Sequence, residues 1–443
     1  MICKLKRYLI FIFCSVICFQ SLAQGNFVLR KGDKDRISFK LIHNLIVIPV
    51  QINGAELSFL LDTGISKPII FNFFNLSEDL QINQTERIFL RGLGEGDPVE
   101  ALKSRNNVFK IGEAINVNQD LYAIFDPSLN FAPRLGVPIH GIIGYDLLKD
   151  FVVEINYTNN YIKLHDPESY KAKQCNKCKS LNIEFHNKKP YIIGSVSING
   201  ENKQVKLLID SGGSDALWLF EDEEIIIPNK YFEDFLGRGL SGSVYGKRSK
   251  LDKFSLAGFE LKKINVAFPD SSSISHAKKI KDRNGSLSGG ILKRFNIILD
   301  YPNNKITLRK NSNFSHPFYN NKSGITLEHN GVRIIREVDR SSGITRFNSE
   351  SESVGSVNVF ASSYKYSLAS AFTIVELREN SPAKKAGLQL GDVILVVNNK
   401  EVHLYSLQEV IQMFYGENGK RISLLIDRRG VQLKINFRLE NLL

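Results

Sequence analysis

The sequence predicts a mainly β protein with two similar lobes, followed by a small α+β domain. Three blocks recur in the same order: "VQINGAELSFLLDTG" (50–64) and "VSINGENKQVKLLIDSG" (196–212), "RGLGEG" (91–96) and "RGLSGS" (238–243), "GYDLLKDFVVEINYTNNYIKL" (144–164) and "SGGILKRFNIILDYPNNKITL" (288–308). The copies are separated by a nearly constant offset of about 145 residues, which indicates a duplicated unit. We therefore expect lobes at 25–165 and 181–311 that are related by a pseudo-two-fold axis.

Within each copy, short runs of Val, Ile, Phe, Tyr and Leu are separated by Gly and Asn, a pattern that predicts β-strands. An Asn-Gly pair in each first block predicts a hairpin turn. Only "YDLLKDF" and "GGILKRF" predict short helical turns. The polar segment 166–180 contains Pro167 and is expected to connect the lobes.

Residues 1–23 have the features of a secretory signal peptide. Lys4, Lys6 and Arg7 precede an apolar run, and Ser21-x-Ala23 is a small-residue cleavage site. No later run reaches the roughly 18 apolar residues that a membrane span requires. We expect an exported protein without an integral membrane segment once the signal is removed.

The chain has a formal net charge of +12, but its Lys and Arg residues form no long block. This distribution is typical of a solvated basic surface, so nucleic acid is not an expected partner. Cys175 and Cys178 are the two cysteines outside the signal region. An oxidising compartment predicts a disulfide between them. A zinc site would need two further ligands, for which His165 and His186 are the nearest candidates, but the chain has no second paired motif.

Asp62 and Asp210 each follow an apolar run, "FLL" and "LLI". A buried lone carboxylate is costly, but the repeat symmetry would place these two opposite each other, where they can share one proton. The ionised partner can then activate a water molecule while the protonated partner donates to a carbonyl oxygen. This chemistry is amide hydrolysis with no metal, no cofactor and no covalent intermediate. The alternative for each motif is an ordinary turn capped by Asp.

The neighbouring residues fit this prediction. Gly64 and Gly212 permit tight turns, and the hydroxyls of Thr63 and Ser211 could bond across the axis. Two Gly-rich segments suit mobile hairpins, or flaps, over a cleft. The flap candidates are Gly92, Gly94, Gly96, Gly239, Gly242 and Tyr245, the last of which is alternatively an exposed loop residue.

These motifs resemble those of pepsin- and retropepsin-type aspartic peptidases over about residues 30–310. "DTG" at 62–64 and "DSG" at 210–212 match the active-site motif, and "GIIG" at 141–144 resembles the later apolar-apolar-Gly element. Its counterpart "GSLS" at 285–288 places Ser288 where a glycine is usual. The resemblance implies an endopeptidase with protein or peptide substrates. One chain supplies both aspartates, so we expect a monomer.

Pepsin-like members carry a hydroxyl residue three places after each Asp, whereas this chain has Ile65 and Gly213, as in the retropepsin pattern. The charged carboxylate then loses a stabilising bond, so we expect a raised pKa and activity towards neutral pH.

The last third of the chain resembles a bacterial-type PDZ domain through "SPAKKAGLQLGDVILVVN" at 381–398. We place this domain at 316–443, with a Ser-rich insertion around 341–370. The resemblance implies that a C-terminal peptide is bound as an added strand. Ser323, Gly324 and Ile325 would supply the N–H groups for its carboxylate, although a simple turn explains these residues equally well.

Together these features predict an exported aspartic endopeptidase with a peptide-binding domain, located in the periplasm or at the cell surface of a bacterium. One alternative is a catalytically silent scaffold that binds peptides, and another is a regulated sensor that cuts a single partner. Residues 25–44 could either cover the cleft as a pro-segment or form the first strands.

Overall fold

The computed structural model describes residues 25–71, 80, 82, 85–338 and 364–443. The chain divides into two compact units. The first unit comprises the described residues of 25–131, 138–320 and 442–443, and the second comprises 132–137 and the described residues of 321–441. The predicted signal peptide and most of the predicted insertion at 341–370 lie outside the described residues, except that 364–370 belong to a strand.

Residues 25–44, for which a pro-segment and first strands are the two alternatives, contain strands at 28–29, 34–38 and 40–42. The elements of the first half of the chain are β1 (Val28–Leu29), β2 (Lys34–Ser38), β3 (Lys40–Ile42), β4 (Leu45–Ile52), β5 (Ala55–Leu61), β6 (Ile69–Ile70), β7 (Glu86–Leu90), β8 (Val99–Ile111), β9 (Ala114–Ile124), α1 (Ala132–Leu135), β10 (Gly141–Ile143), α2 (Tyr145–Leu148), β11 (Val152–Asn156) and β12 (Tyr161–His165), with a 3-10 turn at Pro127–Leu129.

The second lobe repeats this order of strands. Its elements are β13 (Cys178–Asn182), β14 (Glu184–His186), β15 (Lys189–Ile198), β16 (Glu201–Asp210), β17 (Leu217–Leu219), β18 (Tyr231–Gly239), β19 (Gly242–Leu256), β20 (Phe259–Pro269), β21 (Arg283–Ser288), α3 (Gly289–Leu292), β22 (Phe295–Asp300) and β23 (Lys305–Lys310), with a 3-10 turn at Ala277–Lys279. Helices α2 and α3 lie within the two predicted helical turns. Strand β13 begins inside the predicted connector, and its first residue, Cys178, forms a disulfide with Cys175.

The pairing of the strands reproduces the predicted duplication. The first lobe follows the order β9-β6-β10-β5-β4-β8-β7, and the second follows the matching order β20-β17-β21-β16-β15-β19-β18. In each lobe a further pairing, β8 with β9 and β19 with β20, closes the ring of strands. Every strand in one ring therefore has a counterpart of the same pairing in the other.

A six-stranded antiparallel sheet joins the lobes in the order β13-β23-β22-β11-β12-β2. Three strands come from each lobe, and β11 pairs with β22 at the centre. Buried side chains of both lobes, among them Phe59, Phe109, Phe254 and Phe295, form one continuous core. The first unit is thus a single folding body with pseudo-two-fold symmetry.

The second unit is a β-sheet with short helices, and it includes helix α1 from residues 132–137. Its elements are β24 (Ile325–Val338), β25 (Tyr364–Leu377), α4 (Pro382–Lys385), β26 (Val393–Val397), β27 (Lys400–Glu401), α5 (Leu407–Gln412), β28 (Arg421–Arg428) and β29 (Val431–Arg438), with 3-10 turns at Val402–Leu404 and Met413–Tyr415. The sheet order is β24-β25-β26-β28-β29. Ser381 caps α4, and Ser406 with Glu409 forms a capping box at α5, which fixes where each helix begins.

Within the described ranges, no helix combines the length and hydropathy needed to cross a bilayer.

Candidate active site

Asp62 and Asp210 stand at equivalent ends of the two lobes. Asp62 follows β5, and Asp210 is the last residue of β16. Each of these strands has a parallel neighbour, because β10 pairs with β5 and β21 pairs with β16. The buried flanking strands account for the apolar runs that precede both aspartates.

The two turns are joined by hydrogen bonds across the pseudo-two-fold axis. The Thr63 hydroxyl donates to the Ile209 carbonyl at 2.6 Å, and the Ser211 hydroxyl donates to the Leu61 carbonyl at 2.7 Å. Each hydroxyl also accepts from the backbone N–H of the other residue, at 3.0 Å in both cases. Thr63 and Ser211 are buried, so all four bonds are shielded from water. The structure thus places both hydroxyls in the predicted cross-axis bonds.

These bonds bring the carboxylates together. The Gly64 N–H donates to Asp62 Oδ1 at 2.7 Å, and the Gly212 N–H donates to Asp210 Oδ1 at 3.1 Å. A Cβ atom on Gly64 would lie 3.1 Å from Asp62 Oδ1 and 3.6 Å from Asp210 Oδ1. A Cβ on Gly212 would lie 2.3 Å from Asp62 Oδ2. Glycine is required at position 212 because the opposite carboxylate occupies the space of a side chain, whereas a side chain at position 64 would press on the Asp62 carboxylate of its own turn.

Burial and the neighbouring Asp210 carboxylate raise the pKa of Asp62 to about 7, from an ordinary value of 3.8. Burial also raises the pKa of Asp210, while the charges of Arg283 and Lys189 oppose the increase. The environment therefore favours a proton on Asp62 and a negative charge on Asp210. Such a pair titrates as one coupled system.

Replacing Thr63 by Val should destabilise the first unit by about 2–4 kcal/mol, because the Ser211 N–H and the Ile209 carbonyl lose their buried partner. Urea-induced unfolding measures this effect. Thr307→Val is the matched control, since its hydroxyl only meets Ser180 on an exposed face, and it should cost less than about 0.5 kcal/mol. Equal losses in the two variants would contradict a special role for the cross-axis bonds.

The serine at position 288, where the first lobe has Gly144, occurs together with a glycine, Gly213, where the first lobe has Ile65. In the first lobe, a Cβ on Gly144 would lie 2.9 Å from Ile65 Cγ2. In the second lobe, a Cβ on Gly213 would lie 2.7 Å from Ser288 Oγ. Gly213 stands in the place of Ile65, so the side-chain part of this contact is absent around Ser288. The departure from the family pattern is thus local and does not disturb the pairing of Asp210 with Ser288 in adjacent parallel strands.

The predicted flaps are two hairpins whose tips meet. Ser241 lies at the tip of the β18–β19 hairpin, where its N–H donates to the Leu93 carbonyl at 2.9 Å and its hydroxyl accepts from the Gly92 N–H at 3.1 Å. Its carbonyl accepts from the Gly96 N–H at 2.7 Å. Gly94 has φ +117°, and a Cβ there would lie 2.5 Å from the Ser241 carbonyl. The glycines permit this close crossing, and Ser241 connects the two hairpins.

The other flap candidates differ in position. Gly239 and Gly242 pair at the tip of the β18–β19 hairpin. Tyr245 lies further along β19, is 46% exposed and contacts Phe235 edge to face. A groove of about 740 Å³ runs beside the tips and is lined by residues 96–102, 125, 126, 129, 238 and 240–242, with Arg87. The structure leaves open a role for Tyr245 in covering substrate.

Sequence reasoning missed two cations, because nothing in their local sequence relates them to the aspartates. Lys189 begins β15, and Arg283 begins β21. Burial lowers the pKa of both, and the charge of Asp210 opposes this change. They provide positive potential at the carboxylate pair.

Asp215 lies five residues after Asp210. It pairs with Arg248 at 2.8 Å and accepts from the Trp218 indole N–H at 2.7 Å. Arg248 also pairs with Asp234 of β18 at 2.8 Å. Asp215 therefore connects the segment that follows the Asp210 turn to the second flap hairpin.

In the second unit, Ser323 and Gly324 lie in the loop that leads into β24, and Ile325 is the first residue of that strand. The Ser323 and Gly324 N–H groups donate to the Asn321 side-chain oxygen, at 3.0 and 3.1 Å, and the Ile325 N–H donates to the Ser323 hydroxyl. A peptide carboxylate at these groups would have to replace those bonds. Their role in binding stays a prediction.

Comparison with protein families agrees with these two parts of the chain. Residues 48–147 match an aspartyl protease family, and residues 373–428 match the PDZ domain family. A comparison with curated proteins returned no match. The chain therefore contains an aspartyl protease domain and a PDZ domain, and the first match falls in the lobe that carries Asp62.

Proposed function

We propose that this protein is an exported aspartic endopeptidase that hydrolyses peptide bonds with water activated between Asp62 and Asp210. The observation that carries the proposal is the cross-axis connection of Thr63 and Ser211, which holds two partly buried carboxylates in one site. A structural turn would need neither the second aspartate nor the buried bonds. Export is inferred from residues 1–23 alone, and from it a location in the periplasm or at the cell surface.

The unequal surroundings of the two carboxylates support different roles for them. Asp210 lies in the field of Arg283 and Lys189 and serves as the base that takes a proton from water. Asp62 holds the shared proton and donates to the oxygen of the substrate carbonyl. The oxygen of water bonds to the carbonyl carbon, and a tetrahedral diol forms. Its collapse, with a proton passed to the amide nitrogen, breaks the C–N bond and restores the dyad.

The surrounding elements supply what hydrolysis of a long chain requires. The flap hairpins joined at Ser241 would exclude bulk water and would have to separate for a substrate to enter. The PDZ unit would bind a peptide as an added strand and thereby select or present substrates. A catalytically silent scaffold is the competing function, and it predicts binding without turnover.

The test is cleavage of an unfolded protein mixture by residues 24–443, with and without a statine-type transition-state analogue. We expect endoproteolytic fragments whose formation the analogue blocks, because its hydroxyl mimics the tetrahedral diol. Saturable analogue binding without any cleavage of general substrates would point to a gated protease with one partner. Neither cleavage nor analogue binding would favour the scaffold.

The pH dependence of kcat/KM should be bell-shaped, with its upper limb near the pKa of about 7 for Asp62. Above that pH Asp62 loses the proton it must donate, and at low pH Asp210 gains a proton and no longer acts as a base. Lys189→Met should move both limbs to higher pH, because its charge lowers the pKa of both aspartates. The exposed Lys262→Met is the control. A maximum at about pH 2 would contradict this assignment.

A further inference from the structure

The second unit contains a segment from a distant part of the sequence. Residues Ala132–Val137 belong to it, although the remainder spans Asn321–Asn441. Helix α1 of this segment packs against β24. Among the described strands, β24 is the last in its sheet, so one of its edges carries no neighbouring strand. An exposed sheet edge is where a PDZ domain adds a peptide. The segment thus packs against the strand that would receive a ligand.

Arg134 provides the charged anchor of this segment. Its Nε atom pairs with Glu328 of β24, and its Nη2 atom lies 3.6 Å from Glu376 Oε1 of β25. The three side chains are only 21%, 22% and 23% exposed, so the charges are partly shielded from water. Such a pair is stronger than one on an open surface. Without a cation, two carboxylates would remain close together in a partly buried place.

The same segment also contacts the helix beside β24. The Gln408 side-chain amide donates to the Leu135 carbonyl. A Cβ on Gly136 would lie 3.0 Å from Leu407 Cβ, so the bare backbone packs on the first residue of α5. The segment therefore extends from β24 and β25 to the start of α5. A peptide bound beside β24 would contact the same strand and the same helix, α5.

We infer that Glu328 and Glu376 form an acidic subsite that selects peptides containing arginine, and that Arg134 occupies this subsite in the free protein. The inference rests on the proposed recognition of peptides by the PDZ unit. It adds the chemical class of the ligand, a basic peptide with small and aliphatic neighbours like "APRLG" at 132–136. It also makes residues 132–137 an internal competitor.

The fraction of time for which residues 132–137 occupy the subsite determines how much the affinity for an external peptide should change. A tethered segment competes at high effective concentration, and a site that is free one tenth of the time binds roughly tenfold more weakly. Removing the Arg134 charge should therefore raise the affinity for an external arginine peptide by about tenfold.

The experiment measures binding of a capped, fluorescent peptide with the sequence LNFAPRLGVP, which copies residues 129–138. Its partner is the chain 24–443 with Asp62→Asn, which prevents cleavage of the probe. Four further proteins also carry Asp62→Asn. The first adds Arg134→Ala, the second adds Glu328→Gln with Glu376→Gln, and the third adds all three changes. The fourth is the control and adds Arg87→Ala at an exposed position. A second peptide has alanine in place of arginine. Circular dichroism and thermal melting check that each protein is folded.

We expect Arg134→Ala to bind the arginine peptide about tenfold more tightly than the reference, and the control to equal the reference. Either the two glutamine changes or the alanine peptide should remove most of this gain. Equal affinities for the arginine peptide with and without Arg134→Ala would show that residues 132–137 do not compete with it. An affinity that the two glutamine changes leave unaltered would show that Glu328 and Glu376 do not form the subsite.

An absence of binding in every protein would overturn the inference as a whole. A library of peptides with random C-terminal sequences, applied to the Arg134→Ala protein, then distinguishes failure of the arginine specificity from failure of the proposed peptide recognition. Retained peptides without arginine would leave PDZ recognition intact with a different specificity. No retained peptide would count against the proposed recognition itself.

Discussion

Replacing Asp62 by Asn is expected to lower kcat/KM for peptide cleavage at least about a thousandfold. The amide keeps the shape of the carboxyl group and its contact with the Gly64 N–H, but it cannot donate the shared proton. Asp210→Asn should cause a loss of the same order because it removes the base. The double variant should be scarcely worse than either single variant, since the two residues act as one unit. The measurement is single-turnover cleavage of a fluorogenic peptide that is selected from the fragments of the wild-type digest.

Asp215→Asn is the matched control. Asp215 is five residues from Asp210 in the same lobe, but its carboxylate contacts Arg248 and Trp218. We expect it to retain most activity and to lose some stability. Cleavage by Asp62→Asn at the wild-type rate would exclude the proposed dyad, whatever the control shows.

Gly144→Ala should destabilise the first unit by about 3 kcal/mol and reduce cleavage together with stability. A Cβ atom there would lie 1.9 Å from the Asp62 carbonyl oxygen and 2.9 Å from Ile65 Cγ2. The backbone that carries the Asp62 carboxylate would have to move. Urea-induced unfolding and kcat/KM measured on the same preparation report the two effects.

Ser288→Ala is the corresponding change in the second lobe, where a Cβ atom already exists. It should cost less than about 1 kcal/mol, because only a hydroxyl is lost from a place that Gly213 keeps open. A tolerated Gly144→Ala would show that the first turn is not held as tightly as its close contacts indicate.

The repeat in the sequence was sufficient to predict most of the first unit. The first and third copied blocks became equivalent sets of strands, and the two Asp-Thr/Ser-Gly turns meet as symmetry requires. Hydrophobic runs and turn residues act locally, so a single sequence reveals them. The PDZ unit was predicted from the resemblance of residues 381–398 to a known family, and residues 373–428 match that family.

What the sequence did not reveal depends on side chains that meet across long separations. Lys189 and Arg283 influence the dyad only because their strands begin beside it. The contact of Ser241 with residues 92–96 needs both flaps in place. Residues 132–137 carry no local sign that they belong with 321–441. Ser288 stands where the family has a glycine, and the space for its side chain becomes apparent only from its contact with Gly213 in the structure.

The central sheet has a consequence for how the chain acquires its structure. Val152 pairs with Asp300, and Asn156 pairs with Asn296, so the middle of the sheet forms only after the second lobe has been made. Contacts of such long sequence separation slow folding, because a large loop must close first. Until then β11 presents an open edge that can recruit β11 of another nascent molecule. Half-synthesised or truncated chains should therefore tend to self-associate. A chaperone that shields the edge of β11 would raise the yield of folded protein.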